Sequence, residues 1–369
     1  MYHSRISGLG YYLPKKVLTN QDLEKMVDTS DEWIKQRTGI ESRHIAGENE
    51  LPSDMALKSS LQALKKSNLT PEDLDFILVS TVYPDQLMPN TACTLQKKLG
   101  ISHIPALDIS AACSGFVYAL SIANQYIQTG TYKNILIVGT ETLHHITNYQ
   151  DRTTCVLFGD GAGTAVVSQN KDPEKGCIYH QELKAYGEMD SALFIPAPGA
   201  KYASKTQSIP NQYRKNNTLQ NLSLTLEKNN EMTKKPDPRE SKKQPNCDTS
   251  EKQDTYIHME GQTVFKKAVK IMCSALEKTL KDTGGSLDQI DWLVPHQANE
   301  RILKQFCKLT GFPEEKVIFD IKDTGNISSA SIPLSMARAI EQGKIKRGQD
   351  ILMIAMGGGM TSGSVFLKY

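Results

Sequence analysis

Cys113 lies in the stretch Asp108-Ile109-Ser110-Ala111-Ala112-Cys113-Ser114-Gly115-Phe116. A cysteine attacks as its thiolate, and the backbone N–H groups of a helix start favour negative charge. This position therefore predicts a lowered thiol pKa, with small neighbours leaving room for a substrate carbonyl. His296 follows in Val294-Pro295-His296-Gln297-Ala298-Asn299, and Asn326 in Thr324-Gly325-Asn326-Ile327-Ser328-Ser329-Ala330-Ser331. The run Met356-Gly357-Gly358-Gly359-Met360-Thr361-Ser362-Gly363 supplies backbone N–H groups that can approach a ligand and stabilise an oxyanion. Each feature alone also fits a structural role. Free Cys is commonly buried, a lone His is more often a satisfied core residue, and Gly-Asn commonly makes a turn. The glycine run lacks the Lys-Ser/Thr of a phosphate loop. Phe158-Gly159-Asp160-Gly161-Ala162-Gly163 lacks dinucleotide-loop spacing and reads as a turn of close backbone packing.

Short apolar runs and helical periodicity must position these groups. Ile104 to Ile109 reads as a strand. Ser114 to Gln128 reads as a helix, with Phe116, Leu120, Ala123 and Ile127 on one face. A strand ends at Val294 before a helix over Glu300 to Leu309. The chain also repeats itself. Glu72 to Val79 resembles Leu287 to Val294, each after a helical segment (Asp54 to Lys66, Thr263 to Lys281). Leu107-Asp108-Ile109 then matches Phe319-Asp320-Ile321, and Asn134 to Gly139 matches Asp350 to Ala355. Continuous apolar strands alternating with helices predict mostly parallel sheets covered on both faces. Two half-units, 1–170 and 171–369, would bring Cys113, His296 and Asn326 together from loops near a pseudo-twofold axis.

The 369 residues carry a net charge of +2, which offers nothing to nucleic acid or membrane surfaces. Seven scattered cysteines, none in a CxxC pair, make neither a disulfide framework nor a zinc site. No signal peptide or long apolar span is read, so a cytoplasmic location with reduced thiols is expected. The polar stretch 201–254, with 11 Lys and Arg against 7 Asp and Glu and prolines at 210, 236, 238 and 245, is expected to be a disordered insertion. A basic docking arm is the other reading of it.

Taken together, the chain resembles the β-ketoacyl-acyl carrier protein synthase III family of condensing enzymes in the thiolase superfamily. The resemblance rests on Thr29-Ser30-Asp31-Glu32-Trp33-Ile34, Arg37-Thr38-Gly39-Ile40, the Cys113 stretch, Phe158 to Gly163, Pro295 to Asn299, Gly325 to Pro333 and the C-terminal glycines. It implies an α/β, thiolase-like layered αβαβα fold of two duplicated halves. It also implies a Cys113-His296-Asn326 triad. Cys113 would be acylated by a short acyl-CoA, with acetyl-CoA the expected one, splitting a hard condensation into two steps. Malonyl-acyl carrier protein would then lose CO2, with His296 and Asn326 donating hydrogen bonds to its thioester oxygen. The N–H groups of Cys113 and Gly358 would hold the second oxyanion.

By the same resemblance, Trp33, Arg37, Arg152 and Gln262 would bind CoA. Gln297, Ala298, Asn299, Glu300 and Arg301 would meet the carrier protein. Met88, Leu143 and Phe158 would shape the acyl pocket, Met88 closing that of a partner subunit in a homodimer. No cofactor or metal is implied, since acyl-CoA is a substrate. Gln262, Met88, Met360 and Ser362 depart from residues usual in the family and bear on acyl-chain choice. A related condensing enzyme of specialised metabolism fits the same motifs. A papain-type Cys, His, Asn hydrolase has the same residue order, but this chain lacks that family's local Cys context. A scaffold paralogue is disfavoured by the intact triad and glycine run.

Overall fold

The computed structural model describes residues 2–196 and 255–369, all of them within or at the edges of one compact unit, Met1–Ile195 with Tyr256–Tyr369. The expected insertion at 201–254 lies outside the described residues. In chain order the elements begin with β1 (His3–Tyr12), β2 (Lys16–Thr19), α1 (Asn20–Glu24), α2 (Asp31–Thr38), β3 (Ser42–Ile45) and α3 (Pro52–Ser67). Next come β4 (Phe76–Ser80), α4 (Thr91–Lys98), β5 (Ala106–Ile109), α5 (Gly115–Gln128), β6 (Asn134–Thr142), β7 (Asp160–Asn170) and β8 (Cys177–Lys184). Then follow β9 (Leu193–Phe194), β10 (His258–Met259), α6 (Gly261–Thr283), β11 (Trp292–Pro295) and α7 (Glu300–Thr310). The last are α8 (Ile321–Thr324), α9 (Ser331–Glu341), β12 (Asp350–Met356) and β13 (Ser362–Lys368).

Two sheets organise the unit, in the orders β1-β7-β6-β4-β5 and β11-β12-β13-β8. Five layers follow from where alternate strand residues point. In β6, Leu136 and Val138 pack outward with α3 and α4, while Ile135 and Ile137 pack inward with Phe116 and Leu120 of α5. In β12, Ile351 and Met353 join that same central layer, and Leu352 and Ile354 pack outward with α6 and α7. α5 and α9 thus lie between the sheets. Phe116, Leu120, Ala123 and Ile127 are all buried there, each large one contributing roughly 1.5–3 kcal/mol.

The sheets are mixed, but parallel pairing does not dominate them. β4 pairs in parallel with β5 and β6, and β11 with β12. The pairs β1–β7, β6–β7, β12–β13 and β13–β8 are antiparallel. The glycine run between β12 and β13 is too short for the crossover that a parallel pair needs. Sequence periodicity could not reveal this, because covered strands look alike in either direction.

The repeat has a structural counterpart at the strand starts. Asp75 Oδ2 accepts from Asn134 N and Asp75 N donates to Asn134 O, both at 2.8 Å. Asp291 repeats this with Asp350, at 2.8 and 2.9 Å. Phe319 to Ile321 departs from its match in β5: it forms no strand, and Val317 makes only an isolated parallel bridge to Leu293.

Candidate active site

Cys113 sits in a 3₁₀ turn, Ala112–Ser114, between β5 and α5. Ser114 Oγ donates within this corner, lying 2.7 Å from Ala111 O and 2.8 Å from Thr361 Oγ1. The glycine run closes over it. A Cβ on Gly357 would stand 2.5 Å from Cys113 N, so only glycine permits this approach. Gly357 N donates to Thr361 O at 2.8 Å. Gly358 lies against Ala112 and Leu193.

His296 follows β11, and its N–H donates to Ile354 O at 2.8 Å. Its Nδ1 is 2.7 Å from Ser331 Oγ at the start of α9. Asn326 is clamped by its backbone: its N donates to Leu157 O at 2.8 Å, and its O accepts from Gly159 N at 3.1 Å. Its Oδ1 accepts from Ser328 N at 2.9 Å, which orients the carboxamide. Cys113, His296 and Asn326 all line one cavity of about 190 Å³.

Burial governs the charges there. It pushes the Cys113 thiol up to about 12, opposite to the lowered value expected from a helix start. Loss of water around a thiolate outweighs the partial charge of the first turn, and the Glu141 carboxylate adds to the rise. Burial also holds the His296 imidazole down at about 3, so it is neutral at pH 7. The resting site holds an uncharged thiol, an uncharged imidazole and an amide.

Toward solvent the cavity is lined by Trp33, Arg37, Asn299 and Phe265. Ser30 caps α2 by accepting from Trp33 N at 3.1 Å, which fixes that turn. Arg37 and Arg152 stand 5.8 and 4.8 Å from the Trp33 ring centroid. Arg152 also donates to Asp28 O at 2.9 Å. Arg301 is exposed and lies 5.6 Å over Phe265. Ala298 and Asn299 line the cavity. Asn299 caps α7 through Arg301 N, and Glu300 pairs with Lys304 and packs on Gly39.

Several expected residues stand elsewhere. Gln297 is buried, donating to Pro295 O and Ile318 O and accepting from Asp320 N, each at 2.9 Å. Its side chain braces the loop and cannot meet a carrier protein. Gln262 is exposed on the first turn of α6 and does not line the cavity. Leu143 is buried in the core beside Phe158, and of the two only Phe158 reaches the cavity. Met88 is 86% exposed and outside it. Sequence reasoning missed Leu193, Met259, Val264 and Met356, apolar wall residues that look like any core residue. It also missed Ser331, which is visible only once α9 is placed beside His296.

Among the described residues no cluster of His, Cys, Asp and Glu could hold a metal, and no helix is long and apolar enough to cross a membrane. All six described cysteines are free.

Residues 107–187 match the family model of 3-oxoacyl-[acyl-carrier-protein (ACP)] synthase III, and residues 280–369 match that of its C-terminal part. The β-ketoacyl-[acyl-carrier-protein] synthases III of Neisseria gonorrhoeae and Thiobacillus denitrificans are each 41% identical over the whole of both chains. The crystal structure of 3-oxoacyl-[acyl-carrier-protein] synthase III from Aquifex aeolicus is similar with a TM-score of 0.82 and 40% identity, covering 99% of this chain and 100% of that one. A priming β-ketosynthase of the R1128 polyketide pathway has a TM-score of 0.80 at 30% identity, covering 99% and 96%. With its layered fold and the meeting of thiol, imidazole and amide in one cavity, the chain belongs to the β-ketoacyl-acyl carrier protein synthase III family of acyltransferases.

Proposed function

We propose that this chain catalyses the decarboxylative condensation of a short acyl-CoA with malonyl-acyl carrier protein, through an acyl-Cys113 intermediate. The convergence of Cys113, His296 and Asn326 on one cavity carries this reading. Cys113 Sγ attacks the acyl thioester and expels CoA. Malonyl thioester then loses CO2, while the Asn326 amide and neutral His296 hydrogen-bond the oxygen that gains charge. The resulting carbanion equivalent attacks acyl-Cys113, and the N–H groups of Cys113 and Gly358 hold that oxyanion. The products are 3-oxoacyl-carrier protein, CoA and CO2. Neutral donors suit a malonyl carboxylate, which a fixed negative charge at this depth would repel.

Trp33 with Arg37 and Arg152 makes a cationic, aromatic mouth suited to the nucleotide end of CoA. Arg301 and its exposed neighbours suit an acidic carrier protein. The exposed Leu87 and Met88 support a homodimer in which Met88 reaches the partner's pocket. The reaction needs no added cofactor, and a reduced thiol fits a cytoplasmic setting. Incubation with acetyl-CoA should add one acetyl mass to wild type and none to Cys113→Ser. An unlabelled wild type overturns the reading. The likeness to the polyketide priming enzyme favours a second reading, a specialised pathway, which would show as labelling without acetoacetyl-carrier protein formation.

A further inference from the structure

His296 and Asn326 line the cavity, and either side chain could turn the wrong atom into it. A carboxamide can present oxygen instead of NH2. A neutral imidazole can carry its one proton on either nitrogen, and the partner of one nitrogen decides what the other offers. For Asn326 the backbone settles the matter. Ser328 N donates to Oδ1 at 2.9 Å, which leaves the NH2 for the cavity. For His296 the deciding partner is a hydroxyl, that of Ser331.

Ser331 is the first residue of α9 and is 1% exposed. Its Oγ lies 2.7 Å from His296 Nδ1 and accepts from Gln297 N at 3.4 Å. Among the described residues it has no other hydrogen-bond partner. The protons then have one satisfactory arrangement. If Nδ1 carried the ring proton it would donate to Ser331 Oγ, and the hydroxyl's own proton would be buried with no acceptor. If Ser331 donates to Nδ1, its proton and its lone pairs are both used, and the ring proton stands on Nε2. The surroundings hold both partners still. His296 N donates to Ile354 O at 2.8 Å, and the Gln297 amide donates to Pro295 O and Ile318 O at 2.9 Å. Ser329, two residues before Ser331, has its N and Oγ at 3.3 and 2.7 Å from Oε1 of the fully buried Glu141.

We propose that Ser331 sets the tautomer of His296, keeping Nδ1 as an acceptor and presenting Nε2–H to the cavity. One turn, Asn326 to Ser331, then fixes the polarity of both donors: a backbone N–H directs the amide, and a hydroxyl directs the imidazole. The tautomer follows from the resting site, and its consequence rests on the condensation proposed above. The thioester oxygen that gains charge as CO2 leaves meets N–H groups from both side chains. With the proton on Nδ1 the ring would turn a lone pair toward that oxygen. Ser331 touches neither substrate nor reacting atoms, and it keeps its own proton throughout. It is a positioning residue that acts through His296.

The test reads the ring nitrogens directly. In protein labelled with 15N-histidine, the signals lost in His296→Gln identify His296. In wild type at pH 7, Nε2 should be the protonated nitrogen and Nδ1 the bare one. In Ser331→Ala the Nδ1–H form should appear. Single-turnover CO2 release from malonyl-carrier protein should fall about 10- to 100-fold in that variant, less than the roughly 10² to 10³ for outright loss of a donor. Acetylation of Cys113 should change by less than about threefold, since His296 serves the other step. A packing role alone would lower both steps together and leave the tautomer as it was. A wild type protonated at Nδ1 overturns the proposal. So does a Ser331→Ala protein that keeps the wild-type ring signals, or one whose CO2 release stays within about threefold of wild type. If Ser331→Ala fails to fold, the wild-type spectrum with its His296→Gln assignment still decides the tautomer. A wild type that acetyl-CoA does not label defeats the proposed function and leaves the tautomer result standing.

Discussion

Replacing Asn326 by Asp changes one NH2 to an oxygen and little else. The backbone of residue 326 stays clamped to Leu157 and Gly159, and the remaining side-chain oxygen still accepts from Ser328 N. The fold should tolerate the change. The chemistry should not, for two separable reasons. Loss of one donor to a developing oxyanion costs about 10² to 10³ in rate. An ionised carboxylate about 4 Å from the malonyl carboxylate adds about 4 kcal/mol of repulsion at an effective dielectric of 20, roughly another 10³. At pH 8, release of CO2 from malonyl-carrier protein should therefore fall by at least about 10³. Acetylation of Cys113 should stay within about tenfold. The residue is 7% exposed, so burial favours the protonated Asp as pH falls, and that form has an O–H donor. Activity of the variant should climb from pH 8 toward 5.5, a trend the non-titrating wild-type amide cannot produce. Single-turnover CO2 release beside intact-mass acetylation measures both steps. Equal losses in the two steps, or a decarboxylation loss under tenfold at pH 8, would refute the reasoning.

Iodoacetamide modification of Cys113 should still be accelerating at pH 9 to 10, because burial places the thiol at about 12; a plateau below pH 8 in peptide mass analysis would contradict that burial effect. Gly357→Ala drives a Cβ to 2.5 Å from Cys113 N and should cut acetylation at least tenfold in a folded protein. Gly343→Ala is its control: φ is 72° with open space around it, so it should cost about 1 kcal/mol in denaturant titration and spare acetylation. Arg43 is fully buried, donating to Leu18 O, Asn20 Oδ1 and Val156 O at 3.2, 2.9 and 2.8 Å. Arg43→Ala leaves these acceptors unpaired and should cost about 3–5 kcal/mol; a loss below 1 kcal/mol by urea unfolding would show that water or repacking replaces the guanidinium.

The layered fold was legible because apolar runs such as Ile135–Val138 and Ile351–Ile354 are long enough to be covered on both faces, and because they recur in order. The meeting of Cys113, Asn326 and His296 could be anticipated for the same reason, since equivalent loops of a repeat converge. Strand direction was not legible, because residue types in a doubly covered strand do not encode it. Nor was the state of Cys113: local sequence shows the helix start but not the burial that overrides it. Gln297 looks like a surface residue beside Asn299 until Ile318 O and Asp320 N are placed around its amide. Glu141 offers no pattern at all, being one acid at the end of an apolar strand.

The strand order of the second sheet has a consequence in time. The first sheet draws β1 and β4 to β7 from residues before 171, so it can assemble while the rest of the chain is being synthesised. The second cannot. β13 is made after every other described strand, yet it lies between β12 and β8, and β8 waits from residue 177 onward for its neighbour. The turn carrying Cys113 is therefore complete long before the glycines that cover it. Until the ribosome releases β13, the thiol is held by a half-built shelter, and the burial that keeps it protonated arrives with the final strand.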